Sequence, residues 1–90
     1  EEGFVSVYAV VETTTGTILA GPHIQARGVA EDDSVFEEIL PDVTEALSAA
    51  LETGKADTYS LQQVMRRTLG RWIGRRLKRR PMIVPVVIEA

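Results

Sequence analysis

The sequence predicts an α+β fold of two layers. A mixed sheet of three strands, Phe4–Glu12 (β1), Thr17–Ala26 (β2) and Met82–Glu89 (β3), in the order β2-β1-β3, carries two helices on one face, with chain order ββααβ. Three observations predict it: an apolar hairpin pattern at the start, apolar residues at helical spacing in two stretches between Ser34 and Arg79, and a final apolar, β-branched run. The 90 residues fit one domain. A chain of that size buries only about 60–65% of its unfolded surface, so it holds one modest core and no large enclosed cavity. The run from Met82 to Ile88 is far shorter than the roughly 20 residues of a bilayer span, and no membrane partner is expected. The sequence has no Cys, which excludes a disulfide scaffold and a thiolate metal site and fits a reducing cytoplasm. It opens on Glu1-Glu2-Gly3 with neither an initiator Met nor a leader, as a domain cut from a longer protein would.

β1 is dense in Val, Phe and Tyr and lacks Gly and Pro, which suits a central strand. Thr13-Thr14-Thr15-Gly16 supplies the turn into β2, and Gly21-Pro22 interrupts β2, marking an edge strand or a bulge. Ser34 with Glu37 three residues on is a capping-box start for the first helix, whose apolar face is Phe36, Ile39, Leu40, Val43, Ala46, Leu47, Ala50 and Leu51. Pro41 predicts a kink or break in it, and Thr53-Gly54 ends it. Asp57 or Ser60 caps the second helix, which runs from about Tyr59 to Arg79 with Leu61, Met65, Thr68, Leu69, Trp72 and Ile73 as its apolar stripe. Arg76 and Arg79 fall on that apolar side, so the last turn overhangs the core or meets acidic residues. Pro81 stops the helix, and Pro85 argues that β3 is the other edge. A parallel β3 reached through both helices should cross over in the right-handed sense.

Alternation along the strands assigns the two faces. Val5, Val7, Ala9, Val11, Ile18, Ala20, Met82, Val84, Val86 and Ile88 are expected under the helices. The opposite face should be polar if solvated, yet Phe4, Tyr8, Val10, Leu19, Ile83 and Val87 fall on it. Six apolar residues from three adjacent strands would form a patch of roughly several hundred Å2, the size at which patches mark interfaces. That face is the candidate protein contact, either for a second copy or for the remainder of a parent chain.

The charge is strongly partitioned. Residues 1–65 carry 12 acidic and 2 basic side chains, residues 66–80 carry 8 basic and none acidic, and Glu89 completes the formal net charge of −3. Arg67, Arg71, Arg75 and Lys78 form a basic stripe along the second helix, flanked by Arg66 and Arg80. Such a stripe suits phosphate contacts of RNA without sequence preference. The same cations also suit a helix C-terminus, and the acidic first helix can neutralise them. No aromatic residue is interleaved for base stacking, and no DNA partner is expected. His23 is the lone histidine, and the carboxylates cluster on a solvated helix face, so no catalytic or metal-binding residue is expected. Gly70 and Gly74 form a small-xxx-small pair away from the apolar stripe.

The stretch from Gly3 to Gly28 resembles the opening hairpin of the C-terminal domain of bacterial ribonuclease J, with Gly-Pro-x-Ile-x-x-Arg-Gly carried by Gly21, Pro22, Ile24, Arg27 and Gly28. The ending resembles that family's Arg-Pro-x-Ile-x-Pro-x-x-x-Glu, carried by Arg80, Pro81, Ile83, Pro85 and Glu89. The likeness covers nearly the whole chain, and the Ala- and Arg-rich composition suits a GC-rich, actinobacterial genome. It implies a cytoplasmic RNA-processing and RNA-degrading enzyme, acting 5′-3′ or internally, whose metallo-β-lactamase and β-CASP domains bind zinc outside this chain. Nothing catalytic carries over to these residues, and no cofactor is implied here. The implied role is support of a dimer or tetramer and contact with the parent catalytic domains. The sequence departs from the family in the acidic run Val29 to Asp33 and in Pro41.

Overall fold

The computed structural model describes residues 3–90. β1 (Phe4–Glu12) is the central strand, with Val5, Val7, Ala9 and Val11 all buried. It can pair on both sides because no proline removes a donor from it. β2, which extends to Arg27, pairs antiparallel with it and β3 (Met82–Glu89) pairs parallel, so the order is β2-β1-β3. Both proline-bearing strands lie at the edges, as the proline placement predicts.

Gly21-Pro22 is a bulge with a clear cause. Gly21 takes φ +82°, and a Cβ on it would stand 2.7 Å from the carbonyl oxygen of Tyr8. No L side chain fits at this point, where the strand slips out of register with β1 between Tyr8 and Val10, at a cis Gly-Pro bond. Pro22 is buried, and Ile24 and Ala26 follow against the core. Ala20 pairs with Val10 and is exposed, contrary to the alternation that places it under the helices. The register shifts on both sides of this pair, between Tyr8 and Val10 and again between Val10 and Val11, so Ala20 turns to the open face while Ile18 returns to the core.

The first helical region is two pieces. A 3-10 helix, Asp33–Glu38, is followed by α1, Leu40–Glu52. Asp32, rather than Ser34, is the cap: its carboxylate accepts the backbone N–H of Ser34 at 3.0 Å. Pro41 stands in the first turn of α1, where its missing N–H leaves nothing unpaired, so the break it predicts becomes a helix start. Phe36, Ile39, Val43, Leu47 and Leu51 are buried along one side. α2 (Thr58–Arg76) is capped by Asp57, which accepts from the Ser60 N–H at 2.8 Å. Its Leu61, Met65, Leu69 and Ile73 are fully buried, and half-buried Trp72 lies with its ring centroid 5.5 Å from that of Phe36. α1 packs over β2 and α2 over β3.

α2 ends at Arg76, short of the predicted Arg79. Leu77 caps it, and Lys78 takes φ +58°, the left-handed conformation that turns the chain out of a helix toward β3. Lys78 is therefore beyond the helical stripe to which the sequence assigns it.

β3 presents the opposite face from the predicted one. Val87 is buried and Ile83 packs against the core, whereas Met82, Val86 and Ile88 are exposed. Both parities of Met82–Ile88 are apolar, so alternation cannot choose between them. The parallel ladder chooses, pairing Val5 with Ile83 and Ala9 with Val87. Gly70 makes room above: a Cβ there would come within 3.3 Å of the Ile83 Cδ1. The side chain of Gln62 accepts the Val87 N–H at 3.1 Å, so α2 also closes part of the outer edge of β3. At the far end, the Thr13 hydroxyl donates to the Glu89 carboxylate, tying the end of β3 to the hairpin turn.

Candidate functional site

Two surfaces stand out, one apolar and one basic. The apolar one is the sheet face away from the helices. Phe4 (41% exposed), Tyr8 (37%), Leu19 (52%), Met82 (55%), Val86 (39%) and Ile88 (53%) lie on it, with half-buried Val10 between Ala20 and Ile88. Of the predicted contact residues, Phe4, Tyr8, Val10 and Leu19 are brought together there. Ile83 and Val87 are not, because the β3 register turns them under α2. Met82, Val86 and Ile88 take their place, and only the register of β3 against β1, which alternation does not reveal, identifies them. His23 pairs with Tyr8 across the ladder, the two rings 5.1 Å apart. The face is thus aromatic and aliphatic, and between Phe4 and Val10 the central strand adds no charge to it.

The basic surface is an open groove of about 610 Å3 between the second half of α2 and the chain entering β3. Arg71, Arg75, Lys78, Arg79 and Arg80 line it over a floor that includes Gly70, Gly74 and Ile83. Of the predicted stripe, Arg71, Arg75 and Lys78 meet there and Arg67 does not; Arg79 and Arg80 join through the turn at Lys78. Arg71 and Arg75 also border the cleft toward α1, which holds Asp42 and Glu45. Arg76, which the helical wheel places on the apolar side, meets an acidic residue as that placement predicts. Its Nε and Nη2 donate to the two carboxylate oxygens of Glu38, each at 3.1 Å. The hydrogen bonds and charge of Glu38 hold the Arg76 guanidinium above its ordinary pKa. Asp57 and Asp32 are held below the ordinary carboxylate value, first by the backbone N–H each accepts, from Ser60 and Ser34 respectively.

Among the described residues no three His, Asp or Glu side chains converge as a metal-binding group, and no helix is long and apolar enough to cross a membrane. One surface offers apolar area, the other fixed positive charge.

The family model described as the ribonuclease J C-terminal domain matches residues 1–90. Ribonuclease J of Mycobacterium tuberculosis is 41% identical over 87 residues, covering 97% of this chain and 16% of that protein. Ribonuclease J of Corynebacterium glutamicum is 34% identical over 92 residues, covering 98% of this chain and 12% of that protein. Ribonuclease J 2 of Staphylococcus aureus is 32% identical over 92 residues, covering 99% and 16%. The chain spans between about one eighth and one sixth of the length of these relatives.

Proposed function

The chain belongs to the ribonuclease J C-terminal domain family, and we propose that it is the non-catalytic C-terminal domain of a cytoplasmic, zinc-dependent 5′-3′ exo- and endoribonuclease of RNA processing and decay. On this reading hydrolysis and the zinc ions belong to residues outside the chain. The domain supports the enzyme by holding copies of it together through the outer face of its sheet.

The observation that carries the reading is the exposure of six large apolar residues, drawn from all three strands, on one face of a small sheet. A half-solvated sheet ordinarily shows polar residues there, and contiguous apolar patches of several hundred Å2 mark contact sites. The occupant is a second copy of the domain. A face dominated by apolar residues, with exposed Arg27 opposite Phe4 at its margin, can meet a copy of itself, as a two-fold contact requires.

Light scattering of the chain across a range of concentrations tests it. A dimer or larger species is expected, and Tyr8→Lys with Val86→Lys should give a folded monomer by circular dichroism, since both side chains are exposed. A chain that stays monomeric at every concentration overturns the assembly role.

A further inference from the structure

We propose that the groove at the C-terminal end of α2 binds the phosphate backbone of an RNA strand. That the polyanion is RNA rests on the ribonuclease reading above; that a polyanion binds here rests on the groove alone.

Arg71, Arg75, Lys78 and Arg79 bring four positive charges to one concavity, and all four side chains are exposed. None of them forms an ion pair with a carboxylate of the described residues, whereas Arg76, the residue after Arg75, is held by Glu38. Four clustered like charges repel one another, and the helix C-terminus offsets only about half a charge. A chain of phosphates relieves the repulsion, with guanidinium forks able to take phosphate oxygens in pairs. Asp42 and Glu45 border Arg71 and Arg75 on the α1 side and compete for them, but without forming an ion pair.

The shape agrees with the charge. Arg71 and Arg75 are one helical turn apart, about 6 Å along the axis. Gly70 and Gly74, at the same offset, put no side chain between those arginines and the chain entering β3. Gly70 has a packing reason, the approach of Ile83. Gly74 has none: it is helical, its φ is not positive, and a Cβ there meets nothing within 4 Å. Any residue but proline would favour the helix more than glycine does. What the missing side chain provides is an open groove floor. No aromatic residue lines the groove, so bases have nothing to stack on and contact is with the backbone.

Fluorescence anisotropy with a labelled oligouridylate of about 12 nucleotides, titrated at several NaCl concentrations, tests this. Four phosphate contacts at about 0.7 ion each predict a log–log slope near −2.8, a loss of about 50-fold in affinity between about 50 and 200 mM salt. Arg71→Gln with Arg75→Gln should halve the slope and reduce that loss to about 7-fold. Gly74→Leu, which fills the floor without changing charge, should weaken binding at least about tenfold at low salt, thermal melting confirming the fold. Arg66→Gln with Arg67→Gln removes the same charge outside the groove and should leave the slope unchanged. Equal losses from the two double variants, or full affinity in Gly74→Leu, overturn the groove as the site. Phosphatidylserine vesicles serve as the competing polyanion. If they bind through Arg71 and Arg75 while oligouridylate does not, the groove stands as a polyanion site and its assignment to RNA falls, with the assembly role untouched. The Tyr8→Lys, Val86→Lys monomer should bind oligouridylate as the parent does, so failure of the assembly role is read separately.

Discussion

Gly21 decides more than its own conformation. Its φ of +82° and the Tyr8 carbonyl oxygen 2.7 Å from an added Cβ exclude any side chain. The bulge it permits places Ala20 opposite Val10 on the open face and buries Pro22. Gly21→Ala combines left-handed backbone with a clash against main chain, which cannot rotate away. It should destabilise the fold by roughly 2 kcal/mol or more in urea unfolding. An unchanged unfolding midpoint would mean that the strand has another register to adopt. The Gly-Pro interruption was visible in the sequence; which side chains it would redirect was not, because the slip is defined only against β1. Arg76 is the opposite case. Its misfit with the apolar stripe was legible from helical spacing alone, and that misfit leads to Glu38.

At the scale of elements, β3 separates what pattern can and cannot say. Its existence, limits and edge position follow from a β-branched run closed by Pro81 and interrupted by Pro85. Its orientation does not, since Met82, Val84, Val86 and Ile88 are as apolar as Ile83 and Val87. Two adjacent substitutions test the outcome. Val87→Lys puts an unpaired charge at a site only 7% exposed and should cost about 3 kcal/mol or more, or prevent folding. Val86→Lys, at 39% exposed, should change the stability of the monomeric Tyr8→Lys chain by about 0.5 kcal/mol or less. The reverse ranking in urea unfolding would restore the face assignment made from alternation. α2 divides in the same way. Its buried stripe of Leu61, Met65, Leu69 and Ile73 was legible, but its end was not, because the turn at Lys78 is made by a residue with no special preference for positive φ.

Over the whole molecule, the apolar face and the basic groove meet at the start of β3, where Met82 of the face lies between Pro81 and Ile83 of the groove. The groove opens between α2 and the start of β3, and the sheet face looks away from both helices. Two copies meeting through their sheets would therefore leave both grooves open to RNA. The two contacts differ in physics, and salt should separate them. Raising NaCl from about 50 to 500 mM should remove RNA affinity while leaving the mass of the assembly unchanged, and sulfate should favour assembly further. An assembly that dissolves in NaCl would place its contact on charge and not on Tyr8, Val86 and Ile88.

By itself the sequence determined the ββααβ order, the central place of β1, the buried stripes of both helices, an apolar surplus on the sheet and the separation of acidic from basic residues. These are local or periodic properties: proline removes a donor wherever it stands, and helical spacing selects one face without reference to a partner. Only the tertiary structure decided which face of β3 is covered, where β2 slips, and that Arg79 and Arg80 join Arg71 and Arg75 around a glycine floor. Each of those depends on a distant segment, since register exists only between two strands and a groove only between a helix and the chain that returns beside it.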